Sequence, residues 1–264
     1  MPRFAANLSM LFNEVPFIER FAAAAEEGFT GVEFLFPYAF EPADLAAELE
    51  RHNLTQVLFN LPPGDWEAGE RGLAALPGRE AEFRDSVDRA LEYATTLNCA
   101  RVHAMAGVAP DGLPHEAMHT TYIDNLRFAA RRLAAHGIQL LIEPINTRDM
   151  PGYFLNHQYE GHAVIAAVGE PNVAVQMDFY HTQIMDGDVW MTYRRYRDDV
   201  GHIQIAGVPD RHEPDTGELS YPWLFEQLDA DGYADWIGCE YHPRTSTIAG
   251  LDWFREQNMC DRGD

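Results

Sequence analysis

Residues 139–146, QLLIEPIN, form an apolar run that stops at a carboxylate, Glu143, followed at once by Pro144. A run this short, rich in branched side chains, reads as a buried strand of a parallel sheet rather than a helix. Pro144 cannot donate to a ladder, so the strand ends there. A charge that closes a buried strand is costly unless it meets water or a partner. One such segment fits either outcome, but the pattern recurs. Residues 173–178 (VAVQMD) climb through apolar residues to Asp178, 202–206 (HIQIA) set Gln204 among apolar neighbours, and 236–240 (WIGCE) run to Glu240. The separations of 35, 26 and 36 residues each leave room for one helix and its loops, the rhythm of βα units. Four oxygen-bearing side chains thus leave the ends of four successive strands. In a closed parallel barrel they point to one place above the C-terminal mouth, where they repel one another unless a cation sits between them.

Working outward, the same rhythm covers the chain. Strands are expected at 3–8, 31–36, 54–60 and 101–106, with helices at 16–27, 42–52, 79–97 and 114–136. Later helices are expected at 158–168, 189–199, 221–231 and 246–257. About eight βα units result, the number that closes a barrel. The fold class is therefore α/β, a single-domain (β/α)8 TIM barrel over residues 1–264, with no linker, low-complexity segment or second composition regime. Residues 61–78, LPPGDWEAGERGLAALPG, are too long for an ordinary βα connection; loops of that size usually serve as lids or binding loops.

With 19 Lys and Arg against 42 Asp and Glu, the net charge is −23. Such a surface repels polyphosphate and anionic lipid, which argues against nucleic acid or a membrane as partner. Cys99, Cys239 and Cys260 are scattered, with no CxxC, as expected in a reducing compartment. Alternation turns Cys239 away from Glu240, as a packed thiol. No charged leader with a long apolar core opens the sequence and no run reaches the length of a membrane span, so the expected location is cytoplasmic.

Carboxylate and amide oxygens are hard ligands, suited to Mg2+ or Mn2+ rather than to a thiolate-type zinc site. The expected metal set is Glu143, Asp178, Gln204 and Glu240. A divalent ion polarises a carbonyl and steadies the enediolate formed when the neighbouring carbon loses a proton. Glu143 and Glu240 are the catalytic candidates, one as base and one as acid, because their strands are not consecutive. His181, in a D-x-x-H arrangement after Asp178, orients a substrate oxygen or is simply a hydrogen-bonded histidine. His103, alternating with Met105, looks into the mouth or packs as a core histidine. Arg211 takes a substrate carboxylate or pairs with Asp210 or Glu213. Glu70 and Arg71 in the long loop close over the site or stay exposed. Asn7, Glu33 and Asn60 near strand ends are weaker candidates. No Walker loop, nucleophile elbow, HExxH or Rossmann glycine fingerprint is present.

With these residues in hand, the chain resembles the hydroxypyruvate isomerase family of xylose-isomerase-like TIM barrels over essentially its whole length. The stretches that carry the resemblance are RFAANLSMLF, GVEFLFPY, PPGDWEAGERG, ALPGREAEFRD, LLIEPIN, HIQIAGVPDRHEPDTGELSYPWLF and WIGCEYHPR. RFAANLSM, VHAMAGV and QIAGVPDRHEP are similar to the 2-oxo-tetronate isomerase branch, whereas LLIEPIN is similar to the hydroxypyruvate branch. The resemblance implies an isomerase of a small anionic hydroxy-keto acid, converting hydroxypyruvate to tartronate semialdehyde or a 2-oxo-tetronate to its 3-oxo isomer. It also implies that Glu143 and Glu240 exchange the proton and that Glu143, Asp178, Gln204 and Glu240 hold the metal. His181, Arg211, His103, Glu70 and Arg71 are the expected substrate contacts. Related sugar epimerases carry His where this chain has Gln204, and close relatives read YKPR where this chain has His242. Three other readings share the site: a ketose 3-epimerase, an abasic-site endonuclease and a non-catalytic sugar-acid binding protein. Homo-oligomerisation is left open.

Overall fold

The computed structural model describes residues 3–260, with the backbone alone for 258–260, so the Cys260 side chain lies outside the described residues. Strand β1 (Arg3–Asn7) is followed by a 3-10 turn and α1 (Arg20–Glu26), then β2 (Gly31–Glu33), α2 (Pro42–Arg51) and β3 (Thr55–Asn60). Next come α3 (Glu80–Thr96), β4 (Arg101–His103), α4 (His115–Ala134), β5 (Gln139–Ile142), α5 (Gln158–Val168) and β6 (Val173–Asp178). The chain continues through α6 (Phe179–Met185), α7 (Val189–Tyr196), β7 (Val200–Ile205), α8 (Tyr221–Ala230), β8 (Trp236–Cys239) and α9 (Asp252–Cys260). The eight strands pair in parallel in chain order, and β8 returns to β1 through Arg3–Trp236 to Ala6–Cys239, closing a (β/α)8 barrel.

Helix α4 shows why the outer layer docks: Met118, Tyr122, Leu126, Ala129 and Leu133 recur every three or four residues and are all buried. All six residues of β6 are buried, as a strand covered on both faces requires. Leu140 and Ile142 join the core between sheet and helices, while Leu141 belongs to a separate cluster with Ala5, Val57, Ala174 and Trp236 that fills the lower barrel bore. Gly31 makes room there: a Cβ at this position would sit 2.5 Å from the Trp236 ring.

Several boundaries differ from the expected ones. Strand β2 stops at Glu33 rather than at 36, and β4 at His103 rather than at 106. Residues 104–106 leave the barrel to receive the long loop: Ala74 N donates to Met105 O, Ala75 N to Ala106 O, and Gly72 bridges Ala106. Gly72 is held at φ 117° with the Met105 carbonyl against its Cα, a place no side chain fits. An additional helix, α6, follows Asp178 directly, because the Asp178 Oδ1 accepts from Tyr180 N at 2.8 Å and caps it. The last helix starts at Asp252 rather than 246, after a 3-10 turn at Ile248–Gly250. Cys99 and Cys239 are free and buried; burial pushes the Cys99 thiol up to about 12. Among the described residues no helix is long and apolar enough to cross a membrane.

Candidate active site

The carboxyl ends of the strands open into a cavity of about 270 Å³, slightly below the roughly 300–1,000 Å³ usual for ligand pockets. Asn7, Glu33, Asn60, His103, Glu143, Gln176, His181, Gln204, Arg211 and Glu240 all line it, together with Trp66 and Arg71 of the long loop. Of the four strand-end residues, Glu143, Gln204 and Glu240 line it, whereas Asp178 does not and sits behind the lining beside His181 and Arg211. All four are buried, with Asp178 fully so.

The floor is a polar network in which Glu33 is the hub. Its carboxylate accepts from His202 Nε2 at 2.8 Å, Gln204 Nε2 at 2.7 Å and Asn7 Nδ2 at 3.1 Å. The opposite end of the Gln204 amide, Oε1, accepts from Gln176 Nε2 at 2.5 Å. Both ends of Gln204 are thus fixed, and one lone pair of Oε1 is left for a ligand. Gly238, paired with Gln204 across β7 and β8, leaves the space that the Glu33 carboxylate fills.

Above this floor the charges are poorly compensated. Glu143 Oε1 and Asp178 Oδ2 are buried without a hydrogen-bond partner, and they stand 3.8 and 3.7 Å from His181 Nε2. One ligand atom each of Glu143, Asp178 and His181 falls within 4.8 Å of the others, so this buried group could hold a metal ion. Unsatisfied carboxylate oxygens in a dry site are the sign expected of a missing positive charge. Burial is the largest cause of the upward shift of all three acids. Glu240 and Asp178 push the Glu143 carboxyl further up, well above the ordinary range. Asp178 rises to about 6 and Glu240 to about 8, each held back by Arg211.

The two histidines are complementary. His181 Nδ1 faces Asn146 Nδ2 at 2.6 Å, while Asn146 Oδ1 is occupied by the backbone N–H groups of Arg148 and Asp149. The ring therefore accepts at Nδ1 and carries its proton on Nε2, toward Glu143 and Asp178. His103 Nδ1 meets Asn60 Oδ1 at 3.3 Å, which leaves its buried Nε2 bare and unpartnered. Burial holds both rings neutral, His103 down at about 3 and His181 well below its ordinary value with help from Arg211 and His103.

Arg211 pairs with neither Asp210 nor Glu213. Held at φ 57°, uncommon for a residue with a side chain, it turns into the cavity. Its Nη2 donates to Glu240 Oε2 at 3.1 Å and lies 3.6 Å from Asp178, with Asp149 3.9 Å from Nη1. Burial lowers its pKa, but Glu240, Asp178, Glu143 and Asp149 outweigh that and the net shift is upward. Glu213 instead binds Arg244. Glu70 does not line the cavity: it grips Arg79 at 2.7 and 3.2 Å and takes Asp65 N at 2.6 Å, pinning the loop to the start of α3. His242 lies outside the lining; its backbone N–H donates to Arg211 O, and its ring, whose pKa is lowered by burial and by Arg211, also feels Asp149.

Gln176, Asn146, Asp149 and Trp66 were not among the expected residues. Gln176 was legible, since it sits two before Asp178 on the same strand face. Asn146, three residues past Glu143, and Trp66, inside the long loop, lie where no periodicity applies.

A family profile described as xylose isomerase-like TIM barrel matches residues 21–257. The 2-oxo-tetronate isomerase of Cupriavidus necator is 60% identical over 255 residues, spanning 97% of this chain and 98% of the relative. The hydroxypyruvate isomerase of Escherichia coli is 47% identical, spanning 96% and 98%. A crystal structure named AP endonuclease, family 2, from Brucella melitensis superposes with a TM-score of 0.95 at 60% identity, covering 97% of this chain and 99% of that one.

Proposed function

The chain belongs to the xylose isomerase-like TIM barrel family, and from that membership we propose that it isomerises a 2-oxo-tetronate to its 3-oxo form, with hydroxypyruvate as a shorter alternative substrate. The enzyme is an intramolecular oxidoreductase. One observation supports the chemistry best: buried Glu143 and Glu240 line one cavity, Asp178 lies beside Glu143 and His181, and Glu143 Oε1 and Asp178 Oδ2 have no hydrogen-bond partner. The 60% identity to a 2-oxo-tetronate isomerase favours the four-carbon acid over hydroxypyruvate.

Glu143 and Asp178 would anchor a divalent cation, Mg2+ or Mn2+, with Gln204 Oε1 and Glu240 completing the set. When bound, the cation supplies carbonyl polarisation and offsets the enediolate charge. His181 is better suited to donate from Nε2 than to ligate, because Asn146 occupies Nδ1 as a donor. One of Glu143 and Glu240 takes the proton from C3 of the substrate, leaving an enediolate across C2 and C3. The other delivers a proton to C2, while the hydroxyl proton passes from the oxygen on C3 to that on C2. An elevated carboxyl pKa suits both halves of this exchange near neutral pH. The bare His103 Nε2 can accept the substrate hydroxyl, and His181 Nε2–H can donate to the developing oxyanion.

The test is a turnover screen of metal-reconstituted protein against both 2-oxo-tetronate epimers, hydroxypyruvate and free ketoses, with product identification. Conversion of the acids by isomerisation is expected; exclusive C3 epimerisation of ketoses, or binding without turnover, overturns the proposal. The name of the Brucella melitensis structure raises a phosphodiester-cleaving alternative. A net charge of −23 and a carboxylate-dominated mouth weigh against it, and a titration with fluorescent abasic DNA checks it.

A further inference from the structure

A substrate that is itself an anion has to enter a cavity walled by Glu33, Glu143, Asp149 and Glu240, and beyond what a cation bound at the acids supplies, a cationic side chain with uncommitted charge on its wall would favour it. Two guanidinium groups line the cavity. Arg211 is already engaged by Glu240, Asp178 and Asp149, and its charge is spent on the acids of the site. Arg71 is different. Among the described residues it has no carboxylate within ion-pair distance, and its hydrogen bonds are two donations from Nη1, to Trp66 O at 2.9 Å and Glu70 O at 2.8 Å. Its guanidinium lies over the Trp66 ring, 3.9 Å from the centroid, and Trp66 in turn rests on Phe36 at 5.0 Å. Nε and Nη2 have no protein acceptor among the described residues.

We propose that Arg71, held flat on Trp66, binds the carboxylate of the substrate and so selects keto acids over neutral ketoses of the same length. This rests on the isomerase reading above and adds to it the group that recognises the acid. The placement is rigid rather than lid-like. The loop is clasped by Glu70–Arg79, it docks on Met105 and Ala106 through Gly72, Ala74 and Ala75, and Asn125 Nδ2 holds Ala74 O. A planar donor fork locked by stacking and by its own loop carbonyls loses little freedom on binding a carboxylate, which favours a bidentate contact. It also separates tasks. Arg211 steadies the reacting acids, whereas Arg71 holds the end of the substrate that does not react, so its loss acts on ground state and transition state alike.

The experiment compares metal-loaded full-length wild type, Arg71→Met and Arg71→Lys. For hydroxypyruvate and 2-oxo-tetronate, KM is expected to rise about 10–100-fold in Arg71→Met with kcat changed by less than about threefold, and Arg71→Lys should recover part of the loss. Inhibition by D-glycerate should weaken in parallel, whereas inhibition by dihydroxyacetone, the uncharged counterpart of hydroxypyruvate, should not change. An unchanged KM in Arg71→Met, or equal weakening for glycerate and dihydroxyacetone, overturns the role. Should wild type turn over neither acid, the isomerase reading fails instead, and calorimetric titration of glycerate into wild type and Arg71→Met still decides whether this guanidinium binds a carboxylate.

Discussion

The two ends of the barrel bore are built from opposite materials. At the bottom, Ala5, Val57, Leu141, Ala174 and Trp236 form a small apolar plug, with Gly31 cut back to admit the indole. At the top, on these and neighbouring strands, stand Asn7, Glu33, Gln176, His202 and Gln204, and beyond them Glu143, Asp178 and Glu240. Trp236 and Glu240 are four residues apart, as are Ala174 and Asp178. The plug satisfies itself by dispersion and exclusion of water, whereas the upper layer is only partly satisfied: Glu33 accepts from Asn7 and Gln204, but His202 Nδ1, Gln176 Oε1, Glu143 Oε1 and Asp178 Oδ2 have no partner. Stability is concentrated at one end and chemistry at the other. The upper end is held in an unfavourable state by the rest of the fold.

Four experiments can break or sharpen that contrast. Glu143→Gln and Glu240→Gln should each cut turnover and solvent deuterium exchange into substrate by about 10²–10⁴-fold. Glu143→Gln should not lower the melting temperature of chelated protein, because it removes a buried acid with an unpartnered oxygen, whereas Glu240→Gln also weakens the contact with Arg211 and should lower it. Retention of exchange in both variants would refute their proposed roles. Trp236→Ala should do the reverse. A cost of about 3–5 kcal/mol in denaturant unfolding is expected, with activity per folded molecule within a few-fold of wild type. A normal stability would mean the plug is not what secures the bore.

A smaller effect is expected from Gln176→Ala, which frees Gln204 Oε1 and also removes the Gln176 side chain that lowers the Glu143 pKa. Divalent-metal affinity, read by calorimetry, should fall about 10–100-fold; no change would remove Gln204 from the proposed ligand set. The smallest effect concerns pH. Glu240 and Asp178 titrate in the fold at about 8 and about 6, above their ordinary values. In the unfolded chain they release their protons near pH 4, while the folded chain still holds them. Below about pH 6.5 the buried, neutral His103 and His181 work in the opposite direction, because they take up protons only on unfolding; from about 6.5 to about 8 stability of chelated protein should therefore fall, with a drop in melting temperature on the order of 5 °C. Mg2+ or Mn2+ should reverse the drop by binding the deprotonated acids. A melting temperature that rises over this range, with or without the ion, would show that burial does not dominate these groups.

Much of the site was legible because strand periodicity carries it. Glu143, Asp178, Gln204 and Glu240 end or nearly end apolar runs, and once eight βα units close, the ends of parallel strands share one face. Gln176 obeys the same alternation. The loop residues do not follow it: Glu70 and Arg71 are neighbours, yet one locks onto Arg79 outside the cavity and the other lines it beside Trp66. Arg211 had two plausible partners within two residues, and its partners proved to be Glu240, Asp178 and Asp149.

By itself the sequence determined the number and direction of the strands and which of them end in an acid or amide, because hydrophobic period and turn chemistry are local properties of the chain. Only the tertiary structure decided which histidine nitrogen is free, which arginine is already neutralised and which buried oxygens lack a partner. Those outcomes depend on hydrogen-bond partners drawn from distant strands and loops, such as Asn146 on His181 and Glu240 on Arg211, whose geometry exists only once the barrel has closed.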